Sequence, residues 1–567
     1  MLRYVKFFVC LFLVVVLSQY TLKAQDLKSA IRLSESEQYD ASHKAFDDLL
    51  AAQPTNGEIY FYYGESFLKQ YFVDSAAASL SEAANSALQY FNKGIEKAPA
   101  DPLNYIGAGR VYILQNKRTE ADASIQKAKD LMPLKGMKYT KSDIPTTKQA
   151  LSYAKIAEAY LKAPGFTKEA LLEIIDNATE RSTLVPEVYL IKGDIYLNYN
   201  DGSSAIVAYN KANELDPKSC KAMVKIGQLW MRAKSYNDAL DYYKKAIDIE
   251  STFAPAYRER AELYGLAQQW DNGIKDYEKF IELSGNNFYA KVRYAAFLYM
   301  AKKYEEAVKY IEELKTLDKD AINKNYNYVN RLEAYSYYNL NNYQDALTAI
   351  KTFFQYTKPD KIMADDYSYY GDILSKLGTH DEASQKYIKA LELDSTNYDL
   401  YSKISKEYAA LKQYDLAAKY IELKISSGKP TLMDYYEAGK TCLNAKKYDK
   451  ADTCFGSVLA QKPDYINAVM YRAQGRSIVD STSELGLAKP YYENLVTLSL
   501  ADSAKYVKYL TTAYSYLRYY YFKQYNMNKK CEDAKKSIGY CDKILAIDPK
   551  DQNSIDIKKS LAVKCPY

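Results

Sequence analysis

Small and aromatic residues recur at a fixed period along this chain of 567 residues. The period is about 34 residues, which is within the range that repeat architectures use. Two neighbouring copies show the pattern, with every position shifted by one period: Gly193, Tyr196, Ala205 and Tyr209, then Gly227, Trp230, Ala239 and Tyr243. Such a period predicts a stack of similar units, each in contact mainly with its neighbours. It therefore constrains the fold more than the length does, because a chain this long would otherwise suggest several globular domains.

Each copy has the composition of two paired helices. The first helix carries a small residue, here called the anchor, at the point where the second helix approaches. Second helices begin with Tyr-x-x-Ala, as at Tyr236 and Tyr304, and a proline such as Pro217 follows their ends. About fourteen anchors follow one another along the chain: Ala30, Gly64, Gly109, Ala157, Gly193, Gly227, Ala261, Ala296, Ala334, Gly371, Ser405, Gly439, Ala473 and Ala513.

These residues and their spacing resemble the tetratricopeptide repeat family over essentially the whole chain from Gln25 onwards. The resemblance implies an all-α fold, a right-handed superhelical solenoid of helix-turn-helix repeats. It also implies that the first helices line a concave groove, which the residues three before and one after each anchor face. Arrays of this kind are usually binding surfaces and not catalysts.

The segment at 1–24 has the features of a cleaved signal peptide. Arg3 and Lys6 precede an apolar run at 7–17, and the small residue Ala24 precedes the expected cleavage point. The run is short for a membrane span, although Leu22 is large for a cleavage site and leaves an uncleaved anchor as the alternative. We therefore expect an exported protein, periplasmic or envelope-associated, with no stable transmembrane segment after cleavage.

The rest of the chain divides into four predicted segments. These are N-terminal repeats at 25–135, a loop or hinge at 136–147, a main array at 148–550 and a capping helix at 551–567. The loop is predicted because Gly136 and Pro145 interrupt the pattern there. A terminal helix is expected because an open solenoid end needs a polar cap.

Composition argues against nucleic-acid binding and catalysis. The formal net charge is +6, of which the leader contributes three through Arg3, Lys6 and Lys23, so the mature chain lacks the basic excess of a nucleic-acid binder. The chain has only two histidines, His43 and His380, and no known nucleotide-binding or catalytic motif. We predict no catalytic residue, metal or cofactor, and an enzyme with a dispersed site of acids or tyrosines is a third alternative.

The groove rule selects a candidate binding site in the middle of the array. It comprises Arg258, Arg293 and Arg331, assigned to the same position of three consecutive repeats, with Phe297 and Tyr335 after their anchors. Arginines flanked by aromatic residues suit an acidic or extended peptide, because guanidinium groups bind carboxylates bidentately. In the alternative, the arginines pair with glutamates of the array itself: Glu259, Glu262 or Glu333.

The sequence thus predicts a non-enzymatic adaptor or scaffold that binds a protein or peptide segment. The alternative is a helical scaffold of an envelope polysaccharide export or glycan-handling system, because 61 tyrosines exceed the packing needs of the repeats. A continuous track of tyrosines would favour a glycan, and isolated pockets would favour a peptide.

One disulfide is predicted for an oxidising compartment. Cys442 and Cys454 lie on the two helices of one repeat, which pack together. The alternative is two separate thiols, since Cys454 is one residue away from the packing position at Phe455. No cysteine spacing matches a metal-binding motif.

Overall fold

The computed structural model describes residues 26–76, 79–132, 144–428 and 430–565, and every regular element in these ranges is helical. The chain divides into two compact units, unit 1 at Met1–Leu340 and unit 2 at Asn341–Tyr567. The predicted signal peptide at 1–24 lies outside the described residues. So do residues 136–143 of the predicted loop or hinge at 136–147, and its last two residues belong to a helix that begins at Thr146.

Unit 1 contains the following described helices: α1 Leu27–Glu35, α2 Tyr39–Ala52, α3 Gly57–Val73, α4 Leu80–Lys97, α5 Pro102–Leu114, α6 Arg118–Asp130, α7 Thr146–Tyr160, α8 Lys168–Arg181, α9 Pro186–Asn198, α10 Gly202–Leu215, α11 Cys220–Arg232, α12 Tyr236–Ile249, α13 Ala254–Leu266, α14 Trp270–Leu283, α15 Phe288–Met300, α16 Tyr304–Lys324 and α17 Tyr328–Asn339.

Unit 2 contains a further set, with a short 3₁₀ helix at Pro359–Lys361 after its first member: α18 Tyr343–Tyr356, α19 Ala364–Lys376, α20 His380–Leu393, α21 Asp399–Ala410, α22 Tyr414–Ser426, α23 Leu432–Asn444, α24 Tyr448–Gln461, α25 Ile466–Val479, α26 Lys489–Leu500, α27 Val507–Asn528, α28 Cys531–Ile547 and α29 Gln552–Lys564. Across the parts of the chain that the structure describes, no helix combines the length and apolarity needed to span a membrane.

The helices pack in pairs, as the anchors predict. A Cβ atom on Gly193 would lie 2.3 Å from the Tyr209 ring, and one on Gly371 would lie 2.5 Å from the Tyr387 ring. Both distances are far below van der Waals contact, so these positions admit only glycine unless the second helix moves away. The first helices of adjacent repeats also pack together, as α3 does on α5 and α5 on α7. The predicted all-α helical-repeat solenoid is confirmed.

The turn inside each pair has one conformation that repeats with the sequence period. Asn200, Lys234, Gln268 and Lys302 are each separated by one full period, and all have φ between 56° and 59°. Each of these turns needs only one residue in the left-handed region, so a residue with a side chain is tolerated there at a modest cost in free energy. The corresponding residue of the first repeat is Glu37, with φ of 61°.

The disulfide in the structure is not the predicted one. It joins Cys531, at the start of α28, to Cys565, directly after α29. It links α29, which lies where the capping helix was predicted, to its neighbour α28. Cys442 and Cys454 are free thiols within hydrogen-bond contact of one another. The packing position on α24 belongs to Phe455, which lies against Gly439, and Cys454 is only partly buried beside it.

Candidate functional site

Charged side chains on the first helices of unit 1 form ion pairs from one repeat to the next. We call this set the inner face, and its members lie on α3, α5, α7, α9, α11, α13 and α15: Glu65, Arg110, Lys155, Glu158, Glu187, Asp194, Lys221, Lys225, Arg258, Glu262 and Arg293. Each cation contacts an acid of another repeat. The inner face is therefore a chain of matched charges and not a patch of one sign.

The distances within the inner face are those of direct ion pairs. Arg110 lies 2.8 Å from Glu65 and 3.4 Å from Glu158. Lys155 lies 2.6 Å from Glu158 and 3.3 Å from Glu187. Burial opposes ionisation of Glu158, but Lys155 and Arg110 hold the pKa of this carboxyl below its ordinary value. The Glu158 carboxylate is therefore ionised at neutral pH.

The first repeat contacts the inner face from the other end of unit 1. Glu37, in the turn between α1 and α2, forms an ion pair with Arg258 on α13, and Glu35 lies 3.5 Å from Lys221 on α11. Arg32 pairs with Glu250 in the same region. Two carboxylates of the first repeat thus occupy two cations that are far away in sequence, and each of these contacts closes a long loop of chain.

Arg258, the first predicted site residue, is engaged on both sides. Its Nη1 pairs with Glu37, its Nη2 lies 3.1 Å from Glu259, and its guanidinium carbon is 5.5 Å from the centre of the Phe280 ring. Burial works against the charged form, but Glu37 and Glu259 raise the pKa of Arg258. Its contact with Glu259 is one that the alternative interpretation of the sequence named.

Arg293 is engaged in a similar way. Its Nη2 lies 2.5 Å from Glu262, and its Nη1 donates to the Tyr289 hydroxyl at 2.7 Å. Arg331 lies partly buried on α17, where Tyr335 is also placed and is 8% exposed. Two of the three arginines therefore hold glutamates of the repeats, and the third lies further along the same unit.

Phe297 is a core residue and not a groove residue, which corrects the prediction. It is 0% exposed, and its ring stands 4.7 Å from the centre of the Tyr277 ring and against Gly273. The error is one of register: of the two adjacent alanines, Ala295 is fully buried and Ala296 is only partly buried. With the anchor at Ala295, one full period after Ala261, Phe297 falls two positions past the anchor.

The same correction separates Arg293 from its assigned row. It lies two positions before Ala295, whereas Arg258 and Arg331 each lie three positions before their anchors. The three arginines hence do not share one position, although all three lie on first helices.

The acids of the first repeat were missed at the sequence level, but part of the inner face follows from the groove rule. The residue one after the anchor is charged in five of the first seven repeats, the exceptions being Ile31 and Gln228: Glu65, Arg110, Glu158, Asp194 and Glu262. This series of charges was visible in the sequence. Glu35 and Glu37 carry no such signal, because they lie where the first helix of the repeat ends and the turn begins.

A cleft lies beside the contact made by the first repeat. Its volume is about 470 Å³, and its lining includes Tyr39, Asp40, Asp74, Tyr289 and Tyr326. Tyr326 donates a hydrogen bond to Asp74, which ties the region between α16 and α17 to the end of α3. Acids and tyrosines suit a neutral or basic group there better than a carboxylate.

Both histidines contact other side chains of the repeats. His43 stacks on Phe67 at 4.4 Å and lies 2.9 Å from the Ser66 hydroxyl. His380 lies 2.6 Å from Glu407. Within the described ranges, no group of three or more His, Cys, Asp or Glu side chains is arranged to hold a metal ion.

This chain is similar to known repeat proteins. Family models described as tetratricopeptide repeat match residues 27–102, 186–219 and 370–397. The solved C-terminal part of a TPR repeat-containing protein from Cytophaga hutchinsonii is 32% identical, and the match covers 47% of this chain and 98% of that one, with a TM-score of 0.39. A tetratricopeptide repeat protein from Parabacteroides merdae is 16% identical, with 46% and 98% covered and a TM-score of 0.33.

One curated relative matches over a shorter stretch. Protein O-mannosyl-transferase TMTC3 from Mus musculus is 27% identical over 150 residues, which are 26% of this chain. The chain spans only 16% of the length of that protein.

Proposed function

This chain belongs to the tetratricopeptide repeat family, and we propose that it is a non-enzymatic adaptor that binds an acidic protein segment on the inner face of unit 1. Tetratricopeptide repeats generally mediate protein–protein interaction, which supports a scaffold role. Stacked helix pairs present extended surfaces of this kind. The name of the mouse relative describes a transferase, but the 16% of it that is matched gives no ground for that activity here.

One observation supports an acidic partner segment in particular. The first repeat already places two carboxylates, Glu35 and Glu37, against Lys221 and Arg258. These cations thus accept carboxylates from a segment that is distant in sequence. A partner segment with similarly spaced acids would make the same ion pairs, and Arg258 would offer it a planar guanidinium.

The remaining predicted groove residues extend this surface within unit 1. Arg293 would exchange Glu262 for a partner carboxylate, and Arg331 would contact the next part of the segment. Phe297 and Tyr335 are removed from the site because both are buried. The signal peptide predicted at 1–24 supports export, so the proposed place of action is the periplasm or the envelope.

The test is capture of partners from an envelope extract by the chain without its leader, 1–24, followed by affinity measurement for each partner identified. The inner-face variant combines Glu37→Gln, Arg258→Gln and Arg293→Gln, so that neither member of the Glu37–Arg258 pair is left buried as a lone charge. We expect it to bind the identified partner about tenfold more weakly or worse, because two charge-assisted contacts are lost.

The matched control neutralises a different ion pair, which joins α13 to α14. Arg260 contacts Asp276 at 2.6 and 2.7 Å, so Arg260→Gln with Asp276→Asn changes charge at a neighbouring position of the same helix. This control should keep the affinity of the original protein. Equal affinity of the inner-face variant and the original protein would exclude the proposed surface.

A further inference from the structure

Unit 2 contains a continuous row of tyrosine rings on α26, α27 and α28. We call it the tyrosine row, and its successive ring centres are 4.4 to 6.4 Å apart: Tyr492, Tyr516, Tyr520, Tyr521, Tyr540 and Tyr514. Tyr516, Tyr520 and Tyr540 remain partly exposed. Part of the aromatic surplus of the sequence is thus gathered in one place.

A shallow pocket opens on this row. Its volume is about 290 Å³, and it is lined by Tyr521, Lys536, Gly539, Tyr540 and Lys543. The Tyr521 and Tyr540 rings are nearly parallel, at 10°, with centres 6.0 Å apart. We call this the Tyr540 pocket. Its aromatic faces and its size suit a single six-membered ring.

Gly539 forms part of the pocket without any packing reason for a glycine. It lies exposed in the middle of α28, and a Cβ atom there would meet nothing within 4 Å. The glycine anchors differ, since a Cβ on Gly439 would lie 2.6 Å from the Phe455 ring. Glycine weakens a helix interior relative to alanine. A ligand in the open space above Gly539 would explain why the helix has a glycine there.

Ammonium groups surround the aromatic faces. Lys536 lies 5.5 Å from the centre of the Tyr521 ring, and Lys543 lies 5.0 Å from that of Tyr540. Glu532 pairs with Lys536 at 2.7 Å, whereas Lys543 has no ion-pair partner among the described residues. Glu493 is occupied by Lys489 at 3.1 Å. The pocket therefore offers at least one free cation beside an aromatic surface.

We propose that the Tyr540 pocket binds an acidic sugar residue of a glycan. The sugar ring would stack on the Tyr540 face above Gly539, and its carboxylate would accept hydrogen bonds from Lys543 and Lys536. Tyr516 and Tyr520, the other partly exposed members of the tyrosine row, would contact the neighbouring sugars. A glycan is favoured over an acidic peptide because the pocket is ring-sized and the partly exposed Tyr540 ring lines it. This site lies in unit 2 and is independent of the protein-binding surface proposed for unit 1.

The experiment titrates the full chain with acidic oligosaccharides, namely galacturonate, alginate and hyaluronan oligomers, and follows binding by calorimetry. Gly539→Leu fills the pocket and should weaken binding about tenfold or more. The same change should leave the melting temperature equal or higher, because leucine favours a helix more than glycine does. A loss of binding without a loss of stability is the expected result.

A second variant tests the charges. Lys536→Gln with Lys543→Gln should weaken binding of the acidic oligomers about tenfold, because the carboxylate loses both cations. Its matched control, Lys535→Gln with Lys550→Gln, removes two exposed charges from the same unit outside the pocket and should bind as the original protein does.

Three results would overturn the proposal. The first is no binding of any acidic oligomer at millimolar concentration. The second is equal binding of neutral maltooligosaccharides. The third is displacement of the oligomer by a glutamate peptide at lower concentration than by free oligomer, which would make the pocket a peptide site.

Discussion

Replacing Arg258 with methionine is expected to destabilise the packing of the first repeat against α13 by roughly 3–5 kcal/mol. The Glu37 side chain is only 5% exposed in its ion pair with Arg258, and its second oxygen has no hydrogen-bond partner among the described residues. Methionine keeps much of the packing against Phe280 but leaves the Glu37 carboxylate buried without its cation. The loss should appear as faster amide hydrogen exchange in α1 and α2.

Arg258 has two carboxylate partners that differ in burial, and the more exposed one supplies the control. Glu259→Gln removes the other carboxylate at Arg258, but its side chain is 19% exposed and Arg258 keeps Glu37, so we expect an effect below about 1 kcal/mol. Adding Glu37→Gln to Arg258→Met should recover part of the stability, because no charge is then left buried. Equal effects of Arg258→Met and Glu259→Gln would show that Glu37 does not depend on Arg258.

This dependence also decides how binding should be tested. An alanine at Arg258 would disturb the first repeat and the binding surface together, so weaker binding would have two explanations. Changing Glu37 and Arg258 to glutamine in the same protein separates them, since both members of the ion pair become neutral.

Replacing Gly193 with valine is expected to destabilise the surrounding repeats of unit 1 by about 3 kcal/mol. The new Cβ would lie 2.3 Å from Tyr209, whose hydroxyl donates to Asp194 at 2.6 Å. The side chain cannot fit unless the ring moves, and moving the ring breaks this hydrogen bond and separates α9 from α10. Chemical denaturation, followed by circular dichroism, measures the loss.

Two comparisons isolate the steric cause. Gly202→Val makes the same change within the same repeat, where a Cβ would lie 3.6 Å from Leu229, and should cost less than about 1 kcal/mol. Tyr209→Leu combined with Gly193→Val should recover part of the loss by making room. A Gly193→Val protein as stable as the Gly202→Val protein would contradict the close approach of α9 and α10.

The sequence predicted the fold because its period records contacts between neighbouring repeats. The glycine anchors are required by rings only one helix away, as Gly193 is by Tyr209, so local spacing carries the information. Register was harder where the constraint is weaker. Ala295 and Ala296 are adjacent and equally small, so the sequence does not say which one faces the second helix, and Phe297 was misplaced for that reason.

The sequence alone therefore determined the repeat, the paired helices and the charged residues after the anchors. Only the tertiary structure placed Glu37 on Arg258, 221 residues away, and Asp74 on Tyr326, 252 residues away. A periodic pattern specifies how each repeat meets the next, but the rotation accumulated over many repeats decides which distant ones meet. The contact of the first repeat with α13 arises from that accumulated geometry, and the pocket above Gly539 arises from side-chain positions that no spacing rule contains.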